Sequence, residues 1–177
     1  MKTICYFAIA CLILCVGPAK ANWQYTKWGM TPEELLALGN GKIVKASPDE
    51  ASPNVAKYKG HRGTTMTLNA ELALASGLLV EGISYKAFYY FNSTGLFLVA
   101  LIPSAEDGFR TSKLLDATYG AADREERLGM DDGDDVGGCI VRRRWRAPQD
   151  GNLVTFFNLC GARFELRYEA IPAKSSL

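Results

Sequence analysis

Beyond residue 21 the chain holds one histidine, two cysteines and no apolar run long enough to cross a membrane, and each shortage closes a class of function. A Ser-His-Asp or Cys-His site would have to use His61. That residue sits between glycines in Gly60-His61-Arg62-Gly63, and no Gly-x-Ser-x-Gly elbow accompanies it. A zinc site of the usual His/Cys type lacks ligands, so no metal and no cofactor is expected. Charge is also scarce on balance: the formal net charge is +1, which gives no global argument for nucleic acid or a membrane surface.

The first residues read as an export signal. Lys2 is a minimal charged region, Ile4 to Val16 an apolar run, and Ala19-Lys20-Ala21 an A-x-A cleavage site. The run is about 13 residues, short of the ~20 that a spanning helix needs. Cys15 follows Leu14, which fails a lipoprotein signal; Cys11 follows Ala10, which passes but leaves a very short apolar region. The expectation is a periplasmic or secreted protein cleaved after Ala21, with residues 22–177 as one domain of net charge −1 and no transmembrane segment. Cys5, Cys11 and Cys15 leave with the signal. Cys139 and Cys160 stay, and two cysteines in an exported chain most simply form one disulfide.

Ile83 to Ile102 is the organising stretch, two apolar runs joined by the turn Asn92-Ser93-Thr94-Gly95. Symmetric pairing about the turn puts Phe91 opposite Leu96, Tyr90 opposite Phe97, Tyr89 opposite Leu98 and Phe88 opposite Val99. Both faces are then apolar, and such a hairpin needs cover on both sides. Its ten large residues, at roughly 1.5–3 kcal/mol each if buried, are the main hydrophobic store.

Around it the chain is punctuated. Thr31-Pro32-Glu33-Glu34 is a capping box with proline at the first helical position, starting a helix that runs to Leu38 and stops at Gly39 or Gly41, its buried side formed by Leu35, Leu36 and Leu38. Ile43 to Gly63 reads as a loop with a short strand at Lys42 to Lys45. Alternation from Thr64 to Ala75 reads as a half-exposed strand, with a helix over Leu68 to Leu79 as the competitor. Ser104 and Asp107 cap a second helix ending before Gly120, and Asp123 to Asp135 reads as a solvated acidic loop.

Cys139 to Arg146 and Leu153 to Cys160 form a hairpin around Ala147 to Asn152, and counting outward from Gln149 and Asp150 sets Cys139 opposite Cys160. A last strand, Arg163 to Glu169, turns Phe164, Leu166 and Tyr168 inward and Arg163, Glu165, Arg167 and Glu169 outward. The expected fold is α+β: an antiparallel sheet of about five to seven strands with two helices packed on it. The layout of capped helix, polar stretch and strands repeats once, from Thr31 to Ile102 and from Ser104 to Glu169, as a tandem pseudo-repeat.

Trp28-Gly29-Met30-Thr31-Pro32-Glu33-Glu34 resembles the opening of short exported proteins of Gram-negative bacteria that have no assigned activity. The helix-then-strands unit, with Trp145, Val154, Phe156 and Tyr168, is similar to the repeat of small outer-membrane-assembly lipoproteins and of β-lactamase-inhibitor proteins. That resemblance implies protein binding without catalysis. The chain departs from the inhibitor pattern in having two cysteines where a pair of disulfides is usual.

Arg142-Arg143-Arg144-Trp145-Arg146 is the sharpest charged feature. On a strand, Arg142, Arg144 and Arg146 share one face, and Arg143 and Trp145 the other. Three like charges in a row repel unless anions answer them, either the nearby acidic loop or an anionic partner. Asp131-Asp132-Gly133-Asp134-Asp135 fails the EF-hand spacing. The expectation is a non-enzymatic exported binding or accessory protein, with Arg142, Arg144, Trp145 and Arg146 as candidate contacts to another envelope protein or an anionic surface. Two alternatives are kept. An envelope hydrolase would show a deep pocket with convergent carboxylates beside His61; a small-ligand carrier would line an open cavity with Tyr85, Tyr89 and Phe97.

Overall fold

The computed structural model describes residues 22–47, 58–59, 65–66, 70–128, 140–147 and 151–171. The export signal, His61, Cys139 and the Asp131 to Asp135 cluster lie outside the described residues. In chain order the elements are β1 (Asn22–Trp23), β2 (Thr26–Lys27), α1 (Pro32–Leu38), β3 (Val44–Lys45), β4 (Tyr58–Lys59), β5 (Thr65–Met66), β6 (Leu72–Val80), β7 (Ile83–Asn92) and β8 (Gly95–Pro103). There follow α2 (Ala105–Tyr119), β9 (Arg124–Leu128), β10 (Ile140–Ala147), β11 (Asn152–Leu159) and β12 (Arg163–Ala170). The fold is α+β, as expected, with eight strands in the main sheet instead of five to seven.

That sheet is antiparallel throughout, in the order β3-β6-β7-β8-β12-β11-β10-β9. Each half is a helix followed by a four-strand meander, and the last strands of the halves, β8 and β12, pair at the centre. This strand order is that of a two-fold rotation about an axis normal to the sheet. The expected repeat is therefore present as geometry, with the small β4–β5 hairpin inserted in the first half.

Both helices begin where their caps dictate. Thr31 accepts from the Glu34 N–H while Glu34 accepts from the Thr31 N–H, closing the capping box, and Gly39 ends α1. Ser104 accepts from the Asp107 N–H, and Gly120 at φ 76° ends α2. Only Leu35 of α1 is buried; Leu36 and Leu38 are 40 % and 53 % exposed, because a seven-residue helix turns a single position fully toward the sheet.

The central hairpin is buried on both faces. Leu74, Tyr89, Val99, Val154 and Trp145 belong to the cluster beneath the helices, and Ala75, Phe88, Tyr90, Leu98 and Ala100 to a second cluster on the opposite face. Its register differs from the symmetric one. Asn92 opposes Gly95 and Phe91 opposes Leu96, but a bulge between Tyr90 and Phe91 shifts the rest, setting Tyr90 opposite Leu98, Tyr89 opposite Val99 and Phe88 opposite Ala100. The turn itself is an Asx turn, with Asn92 Oδ1 accepting from the N–H and hydroxyl of Thr94. Gly95 at φ 100° lies against Gly29, where a side chain would overlap the Gly29 carbonyl, and there the Leu96 N–H donates to the Met30 carbonyl.

Three other expectations are corrected. Of the strand expected over Thr64 to Ala75, Thr65–Met66 falls in β5 and Leu72 to Ala75 in β6, which runs on through Gly77 to Val80 and turns at Glu81-Gly82; residues 67–69 lie outside the described residues, and from Leu72 to Leu79 strand replaces the competing helix. Arg124 to Leu128, expected in a loop, forms an edge strand because its acids meet arginines across the ladder: Glu125 opposes Arg143 and Glu126 opposes Arg142. In β12 the outward set is not solvated, since Glu165 and Arg167 are buried beside the second cluster and pair with each other.

Candidate functional site

β10 reads Ile-Val-Arg-Arg-Arg-Trp-Arg-Ala, and the period of two divides it. Arg143 and Trp145 turn toward α2. Trp145 is 2 % exposed, its indole N–H donates to the Gly120 carbonyl at 3.0 Å, and the Arg143 guanidinium stacks 4.8 Å from its ring. Arg143 in turn pairs with Asp116 of α2, donates to the Ser112 hydroxyl, and reaches Glu125 at 3.5 Å. Trp145 is thus a core residue, and its place among the surface contact candidates is corrected: period-two alternation puts it on the face that α2 covers.

Arg142, Arg144 and Arg146 lie together on the other face, as expected. Register carries the row across four strands: Arg124 opposes Arg144, which opposes Thr155, which opposes Arg167. On this part of the face six arginines (Arg124, Arg142, Arg144, Arg146, Arg163 and Arg167) meet three glutamates (Glu126, Glu165 and Glu169) among the described residues.

The arginines are not equivalent. Arg142 pairs with Glu126, which Arg124 also contacts. Burial pushes the Glu126 carboxyl up, but the Arg142 hydrogen bond and the charges of Arg142, Arg124 and Arg144 outweigh it and hold the carboxyl below its ordinary value. Arg146 is exposed, and its backbone N–H donates to Asp123. Arg144 makes no hydrogen bond or ion pair among the described residues. Its Nε is buried without an acceptor. Burial first, then repulsion from Arg142 and Arg124, presses its pKa down against the pull of Glu126 and Glu169. Glu169 is raised above its ordinary value by burial, with Arg167 and Arg144 opposing the rise.

An intramolecular answer to the arginine run therefore exists for Arg142 and Arg143, supplied by strand β9 and helix α2. Glu126, Glu169, Arg124 and Arg167 were not singled out by sequence reasoning. Their signal was present, in the alternating charges of Arg124-Glu125-Glu126-Arg127 and of Arg163 to Glu169, but only the pairing of distant strands brings them to one surface.

A cleft of about 390 Å³ lies on the helix side, between α2 and the β8–β12 seam. Tyr85 lines it, whereas Tyr89 is fully buried and bonded to Ser76 and Tyr25, and Phe97 packs on the other face. The three aromatics named for a carrier do not share a cavity. No helix among the described residues is long and apolar enough to cross a membrane, and no metal-binding cluster occurs among them. Compared with protein-family models, curated proteins and solved structures, the chain matches none.

Proposed function

We propose that the chain is an exported, non-enzymatic binding or accessory protein that takes an anionic surface of another envelope protein on the β9–β10 end of its sheet. Arg144 and Arg146 make the contact, with Arg142 and Arg124 behind them.

The observation that carries this reading is Arg144. A guanidinium remains charged and offers five N–H donors, so one whose buried Nε finds no acceptor among the described residues and that is pressed by two like charges gains from any carboxylate set against it. A partner's acid would answer a local excess of arginine that the described residues do not answer among themselves. Support also comes from the resemblance of the helix-then-strands unit to protein-binding families. The enzyme reading asked for convergent carboxylates beside His61, which lies outside the described residues; the cleft contains one carboxylate, Glu81.

The test is a crosslinking pull-down from an envelope extract, comparing the wild type with Arg144→Ser/Arg146→Ser at low salt and at ~1 M salt, where charges beyond about 3 Å are screened. One specific partner, lost in the variant and at high salt, is the expected result. A partner captured equally by the variant, or none at all, overturns the reading. The export part is checked separately, by an N-terminus at Asn22 on protein recovered from the periplasm or medium.

A further inference from the structure

The cleft under α2 has an apolar wall of Val80, Leu101, Leu114, Leu115 and Leu166 and is edged by polar groups. What those groups offer a ligand follows from where their protons go. Thr111 Oγ1 donates to the Asp107 carbonyl at 2.9 Å, so in its 3.0 Å bond with Tyr85 the phenol must be the donor. Thr118 Oγ1 likewise donates to the Leu114 carbonyl at 2.8 Å. Both threonine oxygens and the Tyr85 oxygen are left as acceptors.

Charge points the same way. Among the described residues no lysine, arginine or histidine lines the cleft, while Glu81 does. Glu81 is held at φ 49° in the two-residue turn to Gly82, a conformation that favours Asn, Asp or Gly. Such a turn with its usual residues would bring no long carboxylate to the rim. Arg110, which approaches Gly82 at the same turn, is tied to Asp107 at 2.7 Å. The rings of Tyr85, Tyr119 and Tyr168 and the uncharged amides of Gln24 and Asn152 complete the lining, and a cation is favoured over an aromatic face.

We infer that this cleft binds a small amphipathic organic cation bearing N–H donors, its apolar body against the leucines and its ammonium group toward Glu81 and the hydroxyl oxygens. The volume is at the small end of the range of ligand pockets, roughly 300–1,000 Å³. The site lies on the face opposite Arg144, so it is independent of the protein-binding reading.

The probes are octylammonium, octyltrimethylammonium and octanoate, titrated below micelle formation into the purified protein and followed by calorimetry. Octylammonium is expected to bind saturably and more tightly than octyltrimethylammonium, which lacks N–H donors, with octanoate weakest. Glu81→Gln should weaken octylammonium by roughly three- to fivefold, the scale of a partly exposed charge pair. Thr118→Trp, at an exposed helix position, should fill the cleft and abolish binding. Octanoate binding as well as octylammonium, no saturable octylammonium binding, or full binding by a folded Thr118→Trp variant overturns the inference; if that variant fails to fold, the wild-type probe order and Glu81→Gln decide.

Discussion

Gly108 of α2 lies against the ring of Phe164 on β12 with no room for a methyl group between them. The second helix is seated by that contact, which Phe109 extends by meeting Phe164 edge-on at 5.0 Å. Alanine is the better helix former by about 1 kcal/mol, whereas forcing a methyl into a filled site costs about 1–3 kcal/mol. Packing should win. The overlap with the Phe164 ring is severe, which puts the packing cost at the upper end, so Gly108→Ala is expected to lower stability by up to about 2 kcal/mol in urea denaturation, and adding Phe164→Leu should return part of the loss. A Gly108→Ala protein as stable as the wild type would mean that helix and sheet are not held by this approach.

Arg142 and Arg144 are neighbours on one face of one strand, yet their removal should have opposite effects. Arg142→Met takes the main partner from the half-buried Glu126 and is expected to cost about 1 kcal/mol. Arg144→Met breaks no hydrogen bond or ion pair among the described residues and removes a partly buried charge whose Nε has no acceptor there, so stability should stay level or rise by up to about 1 kcal/mol. Equal losses in the two melts would show that Arg144 has a partner on which the fold depends.

The two cases also mark what a sequence can reveal. Local signals were sufficient for the caps: Thr31, Pro32 and Glu34, or Ser104 and Asp107, act within one turn of chain, and both helices start there. Alternation assigned Arg142, Arg144 and Arg146 to one face and Trp145 to the other. It could not show which face a helix would cover, so Trp145 was read as a contact residue when it is core. The charged run after Asp123 was misread for a related reason: Glu125 and Glu126 look like loop residues until β10 supplies their arginines. The bulge at Tyr90 and Phe91 has no sequence mark, because large apolar residues on both sides of the turn fit either register. The cleft was equally silent, being assembled from two hairpin turns, one helix and five strands of the sheet.

The observed ladder bears on the cysteines. Ile140 opposes Leu159, the register that counting from the turn required, and continuing the same count would set Cys139, which lies outside the described residues, opposite Cys160. Peptide mapping without reductant is expected to recover Cys139 linked to Cys160. Reduction should then cost about 1–2 kcal/mol, less than the roughly 3 kcal/mol of a comparable free loop, because the hairpin already holds the strand ends together. Full alkylation of both thiols in unreduced native protein would rule the bridge out.

Glu126 and Glu169 should give the protein's acid response two opposing parts. The folded Glu126 carboxyl is below its ordinary value of 4.5, so the ionised form is favoured by folding; that stability is present above pH 4.5 and is lost as pH falls through the lowered value. The folded Glu169 carboxyl is above 4.5, because burial outweighs the arginines; its contribution is present below pH 4.5 and is lost as pH rises through the raised value. At pH 7, then, Glu126 stabilises and Glu169 destabilises. Glu169→Gln is expected to raise stability at pH 7 and to lose that advantage by about pH 4, while Glu126→Gln lowers stability at pH 7 and makes the decline below pH 4.5 shallower. Urea denaturation of both variants between pH 3 and 7 measures the difference. If Glu169→Gln were less stable than the wild type at pH 7, the carboxylate would be serving the arginines around it more than it suffers from burial, and Arg144 would no longer count as a charge in need of an outside partner.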